Sequence, residues 1–171
     1  MKKLITGILF FTIFSLSQFA QAQKKDIVDI AVSTDDFSTL VSALKAADLV
    51  SALKGDGPFT VFAPTNSAFA KIDADALNNL LKPENKDQLS AVLTYHVVSG
   101  KLAASDVVAA LKKGNGKVDL TTLNGSKLKV VKNDEGIWLQ DQNGNYSKIV
   151  KTDVMGTNGV IHIIDTVVMP K

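Results

Sequence analysis

Two histidines, His96 and His162, are the only side chains of the sequence that ordinarily titrate near neutral pH. A hydrolase would need one of them as a general base beside a serine or a carboxylate. Neither lies in a recognised catalytic sequence, because the chain has no G-x-S-x-G, H-E-x-x-H or G-x-x-x-x-G-K-[ST] motif. The sequence therefore indicates a protein that is not an enzyme, and a histidine-dependent hydrolase is the alternative.

Oxygen-bearing side chains at Asp141, Asn143 and Asn145 have the spacing of positions 1, 3 and 5 of a calcium loop. Tyr146 and Thr152 stand where that loop needs a glycine and a bidentate glutamate. The match fails, and we interpret the segment as a polar hairpin turn. The chain also has no cysteine, which excludes thiol catalysis, thiolate metal sites and disulfides. We expect no cofactor and no metal site.

The charged residues argue against nucleic acid as a partner. All basic residues are lysines, whereas arginine is favoured for bidentate recognition of phosphates and bases. No basic run is longer than a pair such as Lys112-Lys113. Of the 19 basic residues Lys2 and Lys3 lie in the first 22 residues, so 17 basic residues balance 17 acidic ones beyond them. This balance predicts binding that depends only weakly on salt.

The N-terminus has the pattern of an export signal. Lys2 and Lys3 precede an apolar stretch from Leu4 to Leu16, and Ala20-Gln21-Ala22 matches a cleavage site. A membrane span needs about 20 apolar residues, and this stretch is shorter. We therefore expect residues 1–22 to be a removed signal peptide, with a permanent anchor as the alternative. Residues 23–171 would then form one exported domain without a transmembrane segment, in the periplasm, at the cell surface or outside the cell.

Hydrophobic spacing predicts an α+β domain. Apolar residues recur at helical spacing through most of the stretch from Ile27 to Leu111, and the period changes to two after it. No Pro/Gly/Ser-rich linker separates the two halves, so we expect a single domain. Turn pairs such as Asn124-Gly125 divide the second half into strands. Strands are predicted at 59–63, near 118–120, 128–130 and 137–139, and at 148–155 and 160–169.

Three segments resemble the sequence boxes of the fasciclin-like domain family in their order and spacing. They are FTVFAPTNSAF at 59–69, LTYHVVSG at 93–100, and NGVIHIID at 158–165 followed by VVMP at 167–170. The resemblance extends over residues 25–170. It implies two β-sheets in a wedge with helices packed around one end, in a secreted single-domain member of bacterial type.

The same resemblance implies a function in adhesion. Members of the family are extracellular or surface proteins that attach cells to each other or to matrix, without catalytic machinery. We therefore expect a monomeric binding module for a cell-surface or extracellular matrix protein or glycan. In animal matrix members, Tyr-His and Asp-Ile-Leu/Met sequences have been proposed as integrin contacts, and the matching positions are Tyr95, His96, Asp153, Val154 and Met155. Because the signal looks bacterial, these are candidate binding residues without that receptor.

Structural roles are the competing interpretation for all five. His96 lies on the apolar stripe of a helix predicted over 85–95, which favours a buried, hydrogen-bonded ring. Tyr95 is expected to pack its ring and hold its hydroxyl near the surface. Asp153 is expected to bind backbone groups near a turn. The alternative function is a carrier or sensor of a small apolar ligand, which needs an apolar pocket of about 300 Å³ or more.

Overall fold

The computed structural model of the protein describes residues 24–171. The predicted signal peptide and its cleavage site lie outside the described residues. None of the helices in residues 24–171 combines the length and the hydrophobicity needed to cross a bilayer.

Helices occupy most of the first half of the described chain, as the hydrophobic spacing predicts. Asp26 caps the first helix, because its carboxylate accepts from the Asp29 N–H at 2.7 Å. Short 3₁₀ turns at Asp35–Phe37 and Pro83–Asn85 lead into the second and sixth helices. The helices are α1 (Ile27–Val32), α2 (Ser38–Ala46), α3 (Val50–Leu53), α4 (Asn66–Phe69), α5 (Ala74–Leu80), α6 (Lys86–Tyr95) and α7 (Ala104–Lys113).

Seven strands follow the order β2-β1-β7-β6-β5-β4-β3 in the described chain. Only β1 and β7 run parallel, and the other neighbours are antiparallel. The long strand β6 pairs with β5 through residues 146–148 and with β7 through residues 149–156. It is therefore shared by two sheets. The strands are β1 (Phe59–Pro64), β2 (Val97–Ser99), β3 (Lys117–Thr121), β4 (Lys127–Asn133), β5 (Gly136–Gln140), β6 (Tyr146–Gly156) and β7 (Gly159–Ile164).

The two end strands of this order meet. Val98 of β2 forms an isolated antiparallel bridge with Thr122, which directly follows β3. The Leu123 N–H also donates to the Val97 carbonyl at 2.7 Å. The sheets thus converge at β2 and β3 and are joined at the other side by β6. The predicted α+β fold is confirmed, and the two predicted sheets are continuous through one strand.

Two hydrophobic clusters fill the domain, and β1 contributes to both. Val61 and Ala63 point into the cluster beneath α1, α2 and α6, which is apolar and buried. Phe62 points the other way, into a second cluster between the sheets that includes Leu128 and Leu139. Because strand side chains alternate, one buried strand supports helices on one face and the second sheet on the other.

The end of the chain differs from the predicted strand over 160–169, because β7 ends at Ile164. The Asp165 N–H still donates to the Lys148 carbonyl of β6, but several backbone N–H groups from Thr166 onward donate to side chains. Thr166 donates to Ser147 Oγ, Val168 to His96 Nε2 and Met169 to Asp141 Oδ2, each at 3.2 Å. This segment is held in an irregular path by polar side chains.

Candidate functional site

The His96 ring is a structural link inside the domain. It follows the last residue of α6 and is 2% exposed. Its Nδ1 lies 2.8 Å from the Val92 carbonyl, and its Nε2 accepts from the Val168 N–H at 3.2 Å. These partners require a neutral ring with the proton on Nδ1. Burial lowers the pKa of His96 to about 4, so the ring stays uncharged at neutral pH.

His162 is used in the same way on β7. It is 1% exposed, with Nε2 2.8 Å from the Leu102 carbonyl and Nδ1 accepting from the Asp153 N–H at 3.4 Å. Its ring also lies 5.7 Å from that of Phe62. Across residues 24–171, no serine or carboxylate side chain hydrogen-bonds either histidine. The hydrolase alternative therefore lacks a base with a free nitrogen.

Tyr95 lies wholly in the core between the sheets, at 0% exposure. Its hydroxyl donates to the Lys127 carbonyl at 2.9 Å and so joins α6 to β4. Burial, aided by the negative charge of Asp141, raises the pKa of Tyr95 to about 12. The ring is packed as expected, and the hydroxyl is closed off from solvent, because the whole residue is 0% exposed.

Asp153, Val154 and Met155 lie in the part of β6 where the pairing with β7 changes register. Asp153 has a left-handed backbone, with φ of 59°, and its Oδ1 accepts from the Ala104 N–H at 2.8 Å. It therefore caps the first turn of α7 from outside that helix. Val154 packs on the cluster beneath the helices, whereas Met155 is 49% exposed.

Among residues 24–171, no hydrogen bond joins Tyr95 or His96 to the segment 153–155. The two groups of candidate residues are tied to different partners, Tyr95 and His96 to backbone in the core and Asp153 to the start of α7. Their assignment as binding contacts stays a prediction. Met155 is the one of the five whose large apolar side chain is open to a partner.

Asp141 forms the turn between β5 and β6, as we interpreted that segment. Its Oδ1 accepts from the N–H groups of Asn143 and Asn145, at 2.9 and 2.8 Å. Its Oδ2 accepts from the Asn145 side chain and from the Met169 N–H, both at 3.2 Å. Four N–H groups thus occupy this buried carboxylate.

A set of residues that the sequence interpretation did not single out covers the outer surface of β3–β6. Along β4, Leu128 and Val130 point into the core, so the alternate residues point outward. The same alternation holds on the three neighbouring strands. We name this surface the outer sheet face. Its residues are Lys117, Asp119, Thr121, Lys127, Lys129, Val131, Trp138, Gln140, Tyr146 and Lys148.

One row of this face crosses four strands. Asp119 lies opposite Lys129, Lys129 opposite Gln140, and Gln140 opposite Tyr146. The Gln140 amide donates to the Tyr146 hydroxyl at 2.8 Å, and the Tyr146 side chain is left 52% exposed. The row therefore presents a carboxylate, an ammonium, an amide and an aromatic ring side by side.

A second row runs parallel to the first, from Lys117 through Val131 and Trp138 to Lys148. The Trp138 indole N–H donates to Asn133 Oδ1 at 2.9 Å, which fixes the ring. Lys148 Nζ lies 5.5 Å from the centre of that ring. A cation–π contact therefore holds one ammonium group over this row.

A shallow depression of about 350 Å³ opens over the first row. Lys127, Lys129, Asp119 and Gln140 line it, and the turn 141–144 closes one side. Its volume falls in the range of small-ligand sites, which start at about 300 Å³. Its lining side chains offer both hydrogen-bond donors and acceptors.

A second cavity is an apolar groove of about 380 Å³ between α5, α6 and the C-terminal segment. Ile72, Leu80, Val92 and Met169 contribute to its lining. By contrast, the interior space beneath α1 and α2 measures only about 20 Å³. A small apolar molecule would therefore fit the groove and not this interior.

The comparisons with known proteins agree with this fold. The fasciclin domain family model matches residues 35–170. Protein sll1483 of Synechocystis is 44% identical over 155 residues, which are 91% of this chain and 79% of that protein. The uncharacterized protein sll1735 of Synechocystis is 40% identical, with 84% of this chain and 97% of that protein covered.

More distant relatives include longer animal proteins. Transforming growth factor-beta-induced protein ig-h3 of Sus scrofa is 33% identical over 93% of this chain, which corresponds to 21% of that protein. A solved structure of a FAS1 domain pair from the insect cell adhesion molecule fasciclin I superposes with a TM-score of 0.72. It shares 21% identity and covers 83% of this chain and 50% of that one. With the family model matched over residues 35–170, the chain belongs to the fasciclin domain family.

Proposed function

We propose that this protein is an exported, monomeric, non-catalytic binding module that attaches to a protein or glycan of the cell surface or extracellular matrix. Residues 1–22 direct export, and residues 23–171 form the attached domain. The site of attachment is the outer sheet face.

The observation that best supports this proposal is that the outer sheet face is exposed to solvent while the strands beneath it pack on the core. Its inner surface packs on the core between the sheets, so its register and side-chain positions are fixed. Its outer surface presents Tyr146, Gln140 and lysine groups to solvent. Both histidines, in contrast, are buried and bound to backbone. The described residues thus offer a recognition surface, and neither histidine is available beside it as a general base.

Family membership supports attachment as the role. The superposed insect protein is described as a cell adhesion molecule. Its low identity to this chain supports the shared fold alone, so we carry adhesion over as part of the proposal.

A retention assay tests the proposal. Protein recovered from the producing cells is incubated with their washed envelopes and secreted matrix, and the bound fraction is measured against concentration. We expect saturable binding that protease or periodate treatment of the target removes, which separates a protein from a glycan partner. Absence of saturable binding to both fractions contradicts the proposed function.

Export and oligomeric state are tested on the same material. Mass spectrometry of the secreted protein should find Gln23 as its first residue, and light scattering should give the mass of one chain. Retention of Met1 in a membrane fraction would instead support a permanent anchor.

The groove between α5 and α6 favours a second candidate function, a carrier of a small apolar ligand. Nile red is a suitable probe, because its fluorescence increases in apolar surroundings. Ala76 lies in the groove lining, so Ala76→Trp should fill the groove and weaken the signal. The matched control is Ala46→Trp, at an exposed position on α2. Equal signals from the two variants would remove this candidate.

A further inference from the structure

We infer that the outer sheet face binds an acidic polysaccharide, with a sugar ring in the depression and lysine ammonium groups on its carboxylates. This inference rests on the proposed function and names the chemistry of the partner.

The charge of the face favours an anionic ligand. It carries the ammonium groups of Lys117, Lys127, Lys129 and Lys148 against one exposed carboxylate, Asp119, on a domain whose total charge is balanced. Within residues 24–171, none of these four lysines forms an ion pair. Their charges are therefore not paired with a carboxylate, while Lys127 Nζ donates to Thr121 Oγ1 at 2.6 Å and Lys148 lies over Trp138.

Asp141 is a second carboxylate near the depression, so the four lysines of the outer sheet face exceed Asp119 and Asp141 by two charges. It is buried at the margin of the depression, and four N–H groups already point at its oxygens. Its oxygens are therefore occupied by groups of the protein, while its charge still acts on nearby groups such as Tyr95. A uronate carboxylate entering the depression would have Lys127 and Lys129 as its cationic partners, with Asp119 beside Lys129 on the same row.

The polar groups of the depression match sugar hydroxyls. Asp119 accepts hydrogen bonds, Lys129 donates them, and the amides of Gln140 and Gln142 do both. Such a mixture suits hydroxyl groups, each of which is a donor and an acceptor. A simple polyanion would use only the ammonium groups.

Tyr146 supplies the apolar contact that a sugar ring needs. Its side chain is half exposed at the end of the first row, and Gln140 holds its hydroxyl. Tyr146 lies next to Gln140, which lines the depression, so its exposed ring is available to the C–H face of a sugar that extends from the depression along the first row. Trp138 has another role, because Lys148 already lies over its ring.

The dimensions of the face favour a chain over a single sugar. Three strand-to-strand steps of about 4.8 Å give each row a length of roughly 14 Å. Two such rows lie side by side, so a short oligosaccharide can contact both. The balanced charge of the whole domain predicts binding insensitive to salt, but a polyanion on this face predicts the opposite.

The test measures binding of alginate oligosaccharides, which are polyuronates, by calorimetry. Dextran of matched length is the neutral sugar control, and poly-glutamate is the acidic polymer without sugar. We expect the tightest binding to alginate, and a loss of affinity as ionic strength rises from about 0.1 M to about 1 M. Binding to poly-glutamate or dextran as tight as to alginate overturns the inference.

Substitutions on the outer sheet face test whether alginate binds there. Lys129→Gln and Tyr146→Ala should each weaken alginate binding about tenfold, the size expected for one charged or aromatic contact. Tyr146→Phe keeps the ring and should bind nearly as the parent does. Lys45→Gln, on the exposed surface of α2, is the matched charge control. Circular dichroism checks that each variant is folded.

The outcomes separate the inference from the proposed function. If the parent is retained by envelopes but binds alginate no more tightly than dextran or poly-glutamate, the inference is wrong and the proposed function stands. If the parent binds alginate through these residues but is not retained by envelopes or matrix, the proposed function fails and the assigned ligand chemistry stands.

Discussion

His96 binds the backbone of Val168 across the domain, with Nε2 accepting the Val168 N–H at 3.2 Å. The other ring nitrogen is directed at the Val92 carbonyl one turn back in α6. One neutral ring therefore fixes the end of a helix to the irregular C-terminal segment. Because the ring is buried, its protonation and its removal both act first on stability.

Stability should fall as the pH is lowered from about 6.5 to about 4. The pKa of His96 is depressed from 6.5 to about 4 in the folded protein, so only the unfolded chain takes up this proton in that window. The slope for one proton is about 1.4 kcal/mol per pH unit, and the whole window costs about 3 kcal/mol. Urea unfolding between pH 7 and pH 4 measures this loss.

The control for that pH dependence is His96→Asn, which has no titrating ring. Its unfolding free energy should be lower at pH 7 and should vary less with pH than that of the parent. Equal pH slopes in the two proteins would show that another group is responsible.

His96→Ala should destabilise the domain without a selective effect on binding. The change leaves the Val92 carbonyl and the Val168 N–H unpaired and opens a cavity, at a cost of about 3 kcal/mol. We expect a melting temperature lower by roughly 10 °C. Envelope retention, measured where both proteins are folded, should be unchanged. A variant that melts like the parent but no longer binds would make His96 a contact.

Tyr95→Phe should lower the unfolding free energy by about 1–2 kcal/mol. It removes the hydroxyl that pairs with the Lys127 carbonyl but keeps the packed ring. Thermal unfolding measures the change, and Tyr146→Phe on the outer sheet face is the matched control. Similar losses in both variants would contradict the role of the buried hydrogen bond.

Asp153→Ala should destabilise by about 1 kcal/mol, because it removes the carboxylate that caps α7 at Ala104 and places alanine at a φ of 59°. Asp153→Asn keeps an acceptor and tolerates that backbone, so it should lose less. Chemical denaturation ranks the three proteins. Alanine and asparagine variants of equal stability would argue against the cap.

Asn158→Ala should be among the most damaging polar substitutions, with a loss of about 3 kcal/mol. Asn158 Oδ1 accepts from the Ile27 N–H at 3.1 Å, and its Nδ2 donates to the carbonyls of Leu53 and Gly55 at 2.8 and 2.9 Å. The control is Asn78→Ala, at an exposed position on α5, which should change stability little. Denaturant midpoints of the pair measure the difference. Equal midpoints would mean that these bonds contribute nothing net.

Elements with a local signal could be predicted from the sequence. The hydrophobic stripe of α6 places His96 in the core, and Asn124-Gly125 lies in the connection between β3 and β4. The sequence pattern does not predict β2, because three residues directly after a helix are too few to show the alternation that marks a strand. The strand predicted through Met169 failed because Ser147, His96 and Asp141 bind its N–H groups. Those partners are distant in sequence.

The outer sheet face could not be assembled from the sequence for a related reason. Lys117, Lys129 and Lys148 lie on three different strands, and each is an isolated lysine in an alternating segment. Only the strand register places them on one surface. The lysines are therefore separated along the sequence, and they form a cluster only when the strands pair.

The bridge between Val98 and Thr122 affects how readily the protein aggregates at high local concentration. Unpaired strand borders are templates on which other chains can stack and aggregate. In this domain β2 is hydrogen-bonded to the residues that follow β3, and α7 packs against β3. Many copies can therefore lie close together on a surface, because few backbone groups are left to form strand-to-strand hydrogen bonds between molecules.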